Sequence, residues 1–127
     1  MVLGAIASGL FSREARSADL TAVQEPLTPG EIQHMVIFDL SYAEGSREAK
    51  KFLQDGTRIL TGIPVVRNFQ AFKQVSQKND YQYGFSMVFA NREDYSTYNQ
   101  HPAHVAFVQD RWNKEVVRFL EIDFETL

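Results

Sequence analysis

From Ile32 onward, the spacing of the hydrophobic residues switches between two periods, and this switching is the strongest constraint on the fold. The segment IQHMVIFDL has a period of two with apolar residues on both faces, which predicts a strand over 32–40 with both faces largely buried. His34 lies on the more apolar of those two faces. The next segment begins at a capping Ser46, repeats hydrophobic residues at helical spacing and stops at Gly62. The first half of this region therefore predicts a strand followed by an amphipathic helix.

Two more strands, another helical region and a last strand are predicted after that helix. Strands are expected over 65–75 and 81–90, with the turn residues SQKND between them. Asn91 is expected to cap a short helix, and a second helix is expected from Pro102 to about Arg118, before the closing strand FLEIDF. The order β-α-β-β-α-β predicts an α+β, ferredoxin-like fold with a four-stranded antiparallel sheet.

A sheet with both helices on one face leaves its other face without cover. We expect this open face to be rich in Phe, Tyr and Met, since the chain has ten Phe, five Tyr and three Met. A two-fold related copy commonly covers an apolar face of that size. The predicted partner is therefore the chain itself, in a homodimer.

The composition limits the other partners and the domain count. A chain of 127 residues fits one domain, which we predict to span 32–127. The net charge of -3 and the lack of a basic stripe argue against nucleic acid as a partner. The chain has no cysteine, which excludes disulfides, thiolate nucleophiles and zinc–thiolate sites.

Residues 1–31 differ from the rest and are predicted to form a leader and linker. The run MVLGAIASGLF is apolar but too short to span a bilayer, so no membrane span is expected, and the polar stretch that follows contains two prolines. Two interpretations stay open. The segment is the remnant of an export signal whose charged start is missing, or it is the N-terminal arm of a cytoplasmic protein.

The segment YNQHPAHVAF, residues 98–107, holds two of the three histidines. Pro102 is favoured at the first helical position, which makes His101 the cap and His104 the third helical residue. The positive end of the helix dipole disfavours a protonated imidazole there, so His104 is expected to be neutral near pH 7. Because helical side chains lean toward the N-terminus, His104 should overhang the turn that carries Tyr98.

A neutral imidazole beside a tyrosine can abstract a proton next to a carbonyl. His104 would be the general base and Tyr98 would donate a hydrogen bond to the enolate, a step that needs no cofactor. Two alternatives remain: the histidines only satisfy backbone groups at a helix start, or they form half of a metal site. A metal site needs more ligands than His-x-x-His, so no metal is expected. Asp39 and Asp123 are interpreted as strand-end or capping carboxylates.

With His34 in the first strand, GIP after the first helix, YNQHPAHVAF and the closing IDF, the chain resembles the stress-responsive A/B barrel (Dabb) domain family. The resemblance covers about 33–124. Its most specific part is the segment that contains Tyr98, His101, Pro102 and His104. It implies a dimeric α/β barrel made of ferredoxin-like subunits. Most members have no assigned reaction. One plant member is a polyketide cyclase that uses an aldol condensation, and related dimeric barrels include monooxygenases.

The resemblance also implies site residues. The catalytic tyrosine and histidine of the cyclase match Tyr98 and His104, and its strand histidine matches His34. The chain departs from the cyclase at Gly56, where the cyclase has a pocket tyrosine, and at Phe85, where it has a smaller residue. The implied pocket residues are Val36, Phe38, Phe52, Leu53, Phe85, Phe107 and Trp112.

The sequence thus predicts a homodimer with a small apolar pocket for a carbonyl- or phenol-bearing ligand and with no assigned reaction. The alternative is a cofactor-independent enzyme, an aldol-type cyclase, lyase or monooxygenase, with His104 as general base. An enclosed cavity reached by His104 and Tyr98 would favour ligand binding or chemistry. A space filled by aromatic rings would favour a structural role.

Overall fold

The computed structural model of the chain describes residues 25–127, so most of the predicted leader lies outside the described residues. The four strands form one antiparallel sheet with the third and first strands of the chain in the middle and the second and fourth at the edges, and the predicted ferredoxin-like α+β fold is confirmed. No helix in the described part of the chain is long and apolar enough to cross a membrane. The elements are β1 (Ile32–Leu40), α1 (Arg47–Thr61), β2 (Arg67–Lys73), β3 (Tyr83–Phe89), α2 (Arg92–Gln100), α3 (Pro102–Phe107), a π-helical segment (Val108–Trp112), the single turn α4 (Asn113–Glu115) and β4 (Val116–Phe124).

Helix α1 begins and ends where the sequence predicts. The hydroxyl of Ser46 accepts a hydrogen bond from the backbone N–H of Ala49, and the N–H of Gly62 donates to the carbonyl oxygens of the last turn. Its buried side faces the sheet through Ala49, Phe52 and Leu60. This helix therefore forms the floor of the core that packs on the sheet.

The second helical region is shorter than predicted. It ends at Glu115, and Arg118 lies in β4, where its backbone pairs with Asp39 of β1. The β-branched pair Val116 and Val117 favours strand over helix, and the strand pairing begins there. The region also changes from α-helix to π-helix at Val108, which the hydrophobic pattern did not predict. Such π-helical turns are common at functional sites.

The arginine of the π-helical segment ties this region to α1. Arg111 donates to the carboxylates of Asp55 and Glu115, and the guanidinium also lies over the ring of Phe52. The hydrogen bonds from Arg111 and Lys51 lower the pKa of Asp55 to about 2. These contacts attach the π-helical segment to α1.

The hydrophobic core lies between the helices and one face of the sheet. Strand β1 alternates between buried and half-buried residues along its whole length, and its buried residues face the helices. The aromatic series of β3 also lies on this side, so the prediction of an open face rich in Tyr is wrong for that strand. The largest fully buried side chains are Phe38, Phe52, Phe85, Phe89, Ile63 and Met87.

The open face of the sheet is apolar but made of other residues. The register places Ile37 between Gly84 of β3 and Leu120 of β4, with Phe72 on the far side of Gly84. Phe72, Leu120 and Phe124 are all between 43% and 49% exposed. Three half-exposed large hydrophobic side chains on one sheet face form an apolar patch of the kind that an interface covers.

Candidate functional site

A cavity of about 280 Å³ lies between the sheet and the second helical region. Its lining includes the three residues that the sequence predicted to be catalytic: His34 of β1, Tyr98 of α2 and His104 of α3. The residues that line the cavity are His34, Val36, Leu60, Phe85, Met87, Tyr98, His104, Phe107, Val108, Trp112, Asn113, Phe119 and Glu121.

The start of α3 positions His104 as the sequence predicts. Pro102 is the first helical residue, and Nδ1 of the capping His101 accepts a hydrogen bond from the backbone N–H of Ala103 at 3.1 Å. The ring of His104 leans back over Tyr98, with 4.2 Å between the two ring centroids. Both side chains can therefore reach one group of a ligand.

The hydrogen bond of His104 decides which of its nitrogens is basic. Its Nδ1 lies 3.2 Å from the carbonyl oxygen of Asn99, which can only accept, so Nδ1 carries the proton and Nε2 has the free lone pair. Burial lowers the pKa of His104 below its ordinary value, while the bond to Asn99 raises it by a smaller amount. The imidazole is neutral near pH 7, with burial rather than the helix dipole as the main cause.

A carboxylate and a phenol orient the second imidazole of the cavity. His34 is 4% exposed, and its Nδ1 lies 2.6 Å from Oδ1 of Asp123, which sits directly opposite it in the β1–β4 pairing. The hydroxyl of Tyr95 donates to Oδ2 of the same carboxylate at 3.0 Å. Since the carboxylate accepts from Nδ1, that nitrogen carries a proton and the imidazole ring of His34 is held in one orientation. Asp123 is thus the partner of a buried histidine and not the strand-end or capping carboxylate predicted from the sequence.

The hydroxyl of Tyr98 makes no hydrogen bond within residues 25–127, whereas His34 and His104 each make one through Nδ1. Tyr98 is 4% exposed, and its ring packs on Phe89 with 4.9 Å between centroids. Burial raises the pKa of its hydroxyl well above the ordinary value of 10, so the hydroxyl keeps its proton. A buried hydroxyl without a partner carries a free-energy cost that a bound ligand would remove.

The implied pocket residues divide into three groups. Val36, Phe85, Phe107 and Trp112 line the cavity. Phe38 and Phe52 are fully buried behind that wall, where Phe38 contacts Trp112 and Phe52 contacts Phe107. Leu53 lies elsewhere on α1, in a shallow depression with Gln54, Thr57 and Arg58.

The two departures from the cyclase lie in contact with each other. A Cβ atom added to Gly56 would lie 3.1 Å from Cζ of Phe85 and 3.2 Å from Cζ of Phe107. The large ring at position 85 therefore fills the space that a side chain at position 56 would need. The cavity therefore receives no side chain from position 56.

Sequence reasoning missed Tyr95, Phe119 and Glu121. The period-two pattern of FLEIDF does place Phe119, Glu121 and Asp123 on one face, the face that the register turns toward His34. Tyr95 precedes Tyr98 by three residues and so shares its side of α2. Both signals were present, but the pairing of β4 with β1 was needed to use them.

The arrangement offers hydrogen-bond chemistry in an apolar space. The Nε2 atom of His104 can accept a proton, and the phenol hydroxyl of Tyr98 can donate to an oxygen that becomes negative. In the described residues, no three His, Cys, Asp or Glu side chains are grouped so that they could hold a metal ion.

Comparisons with known proteins give the chain its relatives. A solved structure from Mesorhizobium loti, described as a Dabb family protein with a ferredoxin-like fold, is 51% identical, with a TM-score of 0.76 over 77% of this chain and 98% of that one. A hydroxynitrile lyase from Passiflora edulis is 10% identical, with a TM-score of 0.67 over 79% of this chain and 99% of its own. A dimeric ferredoxin-like protein of unknown function from Thermobifida fusca is 13% identical, with a TM-score of 0.66 over 80% and 95%.

The two more distant structures share the fold at identities too low to assign residue roles. None of the curated proteins compared with the chain matches it. The family model described as the stress responsive A/B barrel domain matches residues 32–126. This match and the 51% identity to a family member agree with the fold and the histidine segment, and the chain belongs to the stress-responsive A/B barrel domain family.

Proposed function

We propose that the cavity binds a small carbonyl- or phenol-bearing ligand and that His104 exchanges a proton with it without a cofactor. The observation that carries this proposal is the hydroxyl of Tyr98, which is buried, protonated and unpartnered within the described residues. Tyr98 lines the same cavity as His34 and His104. The hydroxyl of Tyr98 can donate a hydrogen bond to an enolate or phenolate oxygen of the ligand, and the imidazoles beside it can accept one.

The proposed step is the removal of a proton from the carbon next to a carbonyl. The carbonyl oxygen accepts a hydrogen bond from the hydroxyl of Tyr98, and Nε2 of His104 takes the proton. The electron pair of the broken C–H bond forms a carbon–carbon double bond, and the π pair of the carbonyl moves to the oxygen, where the hydrogen bond from Tyr98 stabilises the enolate. His34, held by Asp123, accepts a second hydrogen bond from the ligand and orients it. The proton then returns from His104 to the same carbon or to another one.

The alternative is a pocket that binds a ligand but does not react with it. A hydroxynitrile lyase has the same fold, which supports the view that such a scaffold can carry a reaction. The neutral state of His104 also favours chemistry, because a protonated imidazole could not act as a base.

The test is deuterium exchange of the α-protons of 1-phenylpropan-2-one in D₂O, followed by proton NMR. The wild type should accelerate exchange over buffer, and His104→Gln and Tyr98→Phe should each lower that acceleration by about 10²-fold or more. Tyr42→Phe is the matched control, since the hydroxyl of Tyr42 bonds to Glu115 outside the cavity. Equal rates in the wild type and both site variants would contradict the catalytic step. A ligand that binds without exchange would leave the non-catalytic alternative.

The proposal includes a homodimer formed through the open sheet face. Its support is the half-exposed trio Phe72, Leu120 and Phe124 and the fold shared with a dimeric protein. Leu120→Glu should convert the dimer to a monomer in light scattering after gel filtration. Val105→Glu, at an exposed position on α3, should leave the dimer intact. A wild-type monomer at micromolar concentration would contradict this part of the proposal.

A further inference from the structure

We propose that Glu121 makes the cavity selective for ligands that carry an ammonium group and against ligands that carry a carboxylate. This inference rests on the proposed function, because it names the ligand class of the same cavity. It is carried by the position of Glu121, by the charges of the cavity wall and by the aromatic rings beside it.

Glu121 is a carboxylate without an ion-pair partner in the part of the chain that the structure describes. It lies on β4 directly opposite Val36, on the face that the helices cover, and it lines the cavity. Other carboxylates in and around β4 do have partners: Asp123 pairs with His34, Glu115 with Arg111 and Glu125 with Arg92. Glu121 therefore differs from these neighbours in that no cation of the described residues engages its exposed carboxylate, which remains available to a ligand in the cavity.

The rest of the described wall offers no unpaired cation to balance that charge. None of the lining residues is Lys or Arg. His104 is neutral near pH 7 because of its burial, and the Nδ1–H of His34 donates its hydrogen bond to the carboxylate of Asp123. A ligand carboxylate would meet no unpaired positive charge here and would be repelled by Glu121. A ligand ammonium would find the opposite charge that the wall lacks.

Aromatic rings next to Glu121 suit the same ligand group. Phe119 precedes Glu121 by two residues on the same face of β4, and it is 51% exposed although its ring is large. Its ring meets Trp112 edge-on, with 5.7 Å between centroids. Ring faces attract an ammonium ion through their quadrupole, and the attraction adds to that of a nearby carboxylate. Carboxylate and rings together form a cation-binding end of the cavity.

The two ends of the cavity define the ligand. Tyr98 and His104 receive the phenol or carbonyl, and Glu121 with Phe119 and Trp112 receives the ammonium. A molecule with an aromatic ring, an oxygen function and a short alkylammonium arm would engage both ends. The cavity of about 280 Å³ has room for one molecule of that size.

Three phenols that differ only in the end group of their side chain test the inference. Tyramine carries an ammonium, tyrosol a neutral hydroxyl and 4-hydroxyphenylacetate a carboxylate. Their binding can be followed by isothermal titration calorimetry or by the fluorescence of Trp112, the single tryptophan of the chain, which lines the cavity. We expect tyramine to bind about tenfold more tightly than tyrosol, and the carboxylate to bind most weakly.

The variant Glu121→Gln keeps the shape of the side chain and removes its charge. It should weaken tyramine binding to the level of tyrosol and leave tyrosol unchanged, while Glu121→Asp should retain part of the preference. Glu93→Gln removes the same charge from an exposed position on α2 outside the cavity, and it should retain the full preference.

The outcomes separate this inference from the proposed function. If all three phenols bind the wild type equally, or if Glu121→Gln keeps the preference for tyramine, the inference is wrong while the cavity stands as a phenol site. If none of the three binds the wild type, the proposed function fails and the inference fails with it.

Discussion

His34 and Phe38 lie four residues apart on the same face of β1, yet their surroundings differ in kind. Phe38 is fully buried among rings, with centroids of Phe85 at 5.0 Å and Trp112 at 4.9 Å. His34 is almost as buried, but it is held by a hydrogen bond to Asp123 and borders a cavity. One end of the sheet face is packed solid, and the other end combines polar groups with empty space.

The difference indicates that the polar end stabilises the fold less than the packed end does. Aromatic packing of the kind around Phe38 stabilises a fold by burying a large area and leaving no void. A cavity beside a buried, unpartnered hydroxyl does the reverse, because lost contacts and lost hydrogen bonds both cost free energy. A chain that has room to fill this end with rings but keeps a histidine and two tyrosines there is typical of a binding site.

The largest expected effect is at the packed end. Phe38→Ala should lower the free energy of unfolding by about 3–5 kcal/mol, because it removes a fully buried ring and leaves a void among its neighbours. Denaturant unfolding measures the loss. The matched control is Val105→Ala on exposed surface, for which we expect a change within about 0.5 kcal/mol. A loss below about 1 kcal/mol for Phe38→Ala would show that this end is not the core of the fold.

At the polar end, the hydrogen bonds of the buried histidine should contribute less to the free energy of unfolding than the ring of Phe38 does. Asp123→Ala removes the acceptor of both His34 and Tyr95 and should cost about 1–3 kcal/mol. Nitrogen NMR of the imidazole should also show that His34 no longer has a single protonated Nδ1. An unchanged tautomer in the variant would mean that Asp123 does not fix the ring.

A substitution at Gly56 tests the packing between the two ends. Gly56→Leu should cost about 1–3 kcal/mol, because the new side chain would press on the rings of Phe85 and Phe107. The loss should shrink in the double variant with Phe85→Val, which frees that space. Gln54→Leu adds the same group at an exposed position on α1 and serves as the control. Equal losses with and without Phe85→Val would argue against the contact.

The smallest expected effect on stability is at His104. His104→Ala should lower the free energy of unfolding by less than about 1 kcal/mol, since the ring makes one hydrogen bond, to a backbone oxygen, and is only partly buried. A loss above about 2 kcal/mol would mark His104 as a structural residue and contradict its assignment to a site.

The lowered pKa of His104 also gives a pH dependence with a definite sign. Protonation favours the unfolded state, in which the pKa is ordinary, so stability is full above about pH 6.5 and falls as the pH drops through the lowered folded value. Replacement by alanine should remove this part of the slope. Unfolding curves recorded across that range measure it, and an unchanged slope in the variant would assign it to another group.

The sequence predicted the architecture because periodicity and capping act locally. The alternation in β1, the cap at Ser46 and the proline at the start of α3 each identified an element from a few neighbouring residues. The start of β4 at Val116 depends on pairing with β1, which the sequence pattern did not reveal. The hydrophobic pattern also did not predict the π-helical turn.

The same limit applied to the site. The proximity of Tyr98 and His104 follows from helix geometry within one segment, and the sequence predicted it. The partners of His34 come from β4 and α2, more than sixty residues further along the chain, so their roles required the register of the sheet. Glu121 was overlooked for the same reason, since only the pairing of β4 with β1 places it at the cavity.

Histidine NMR is the most direct test of whether the polar end of the sheet face is a ligand site. The ring protons of His34, His101 and His104 would be titrated with and without tyrosol. We expect His104 to titrate below the ordinary histidine pKa, and we expect the ligand to shift the signals of His34 and His104 together while the helix-cap residue His101 stays unchanged. If no histidine signal moves with ligand and His104 titrates like a free imidazole, the cavity is not a ligand site.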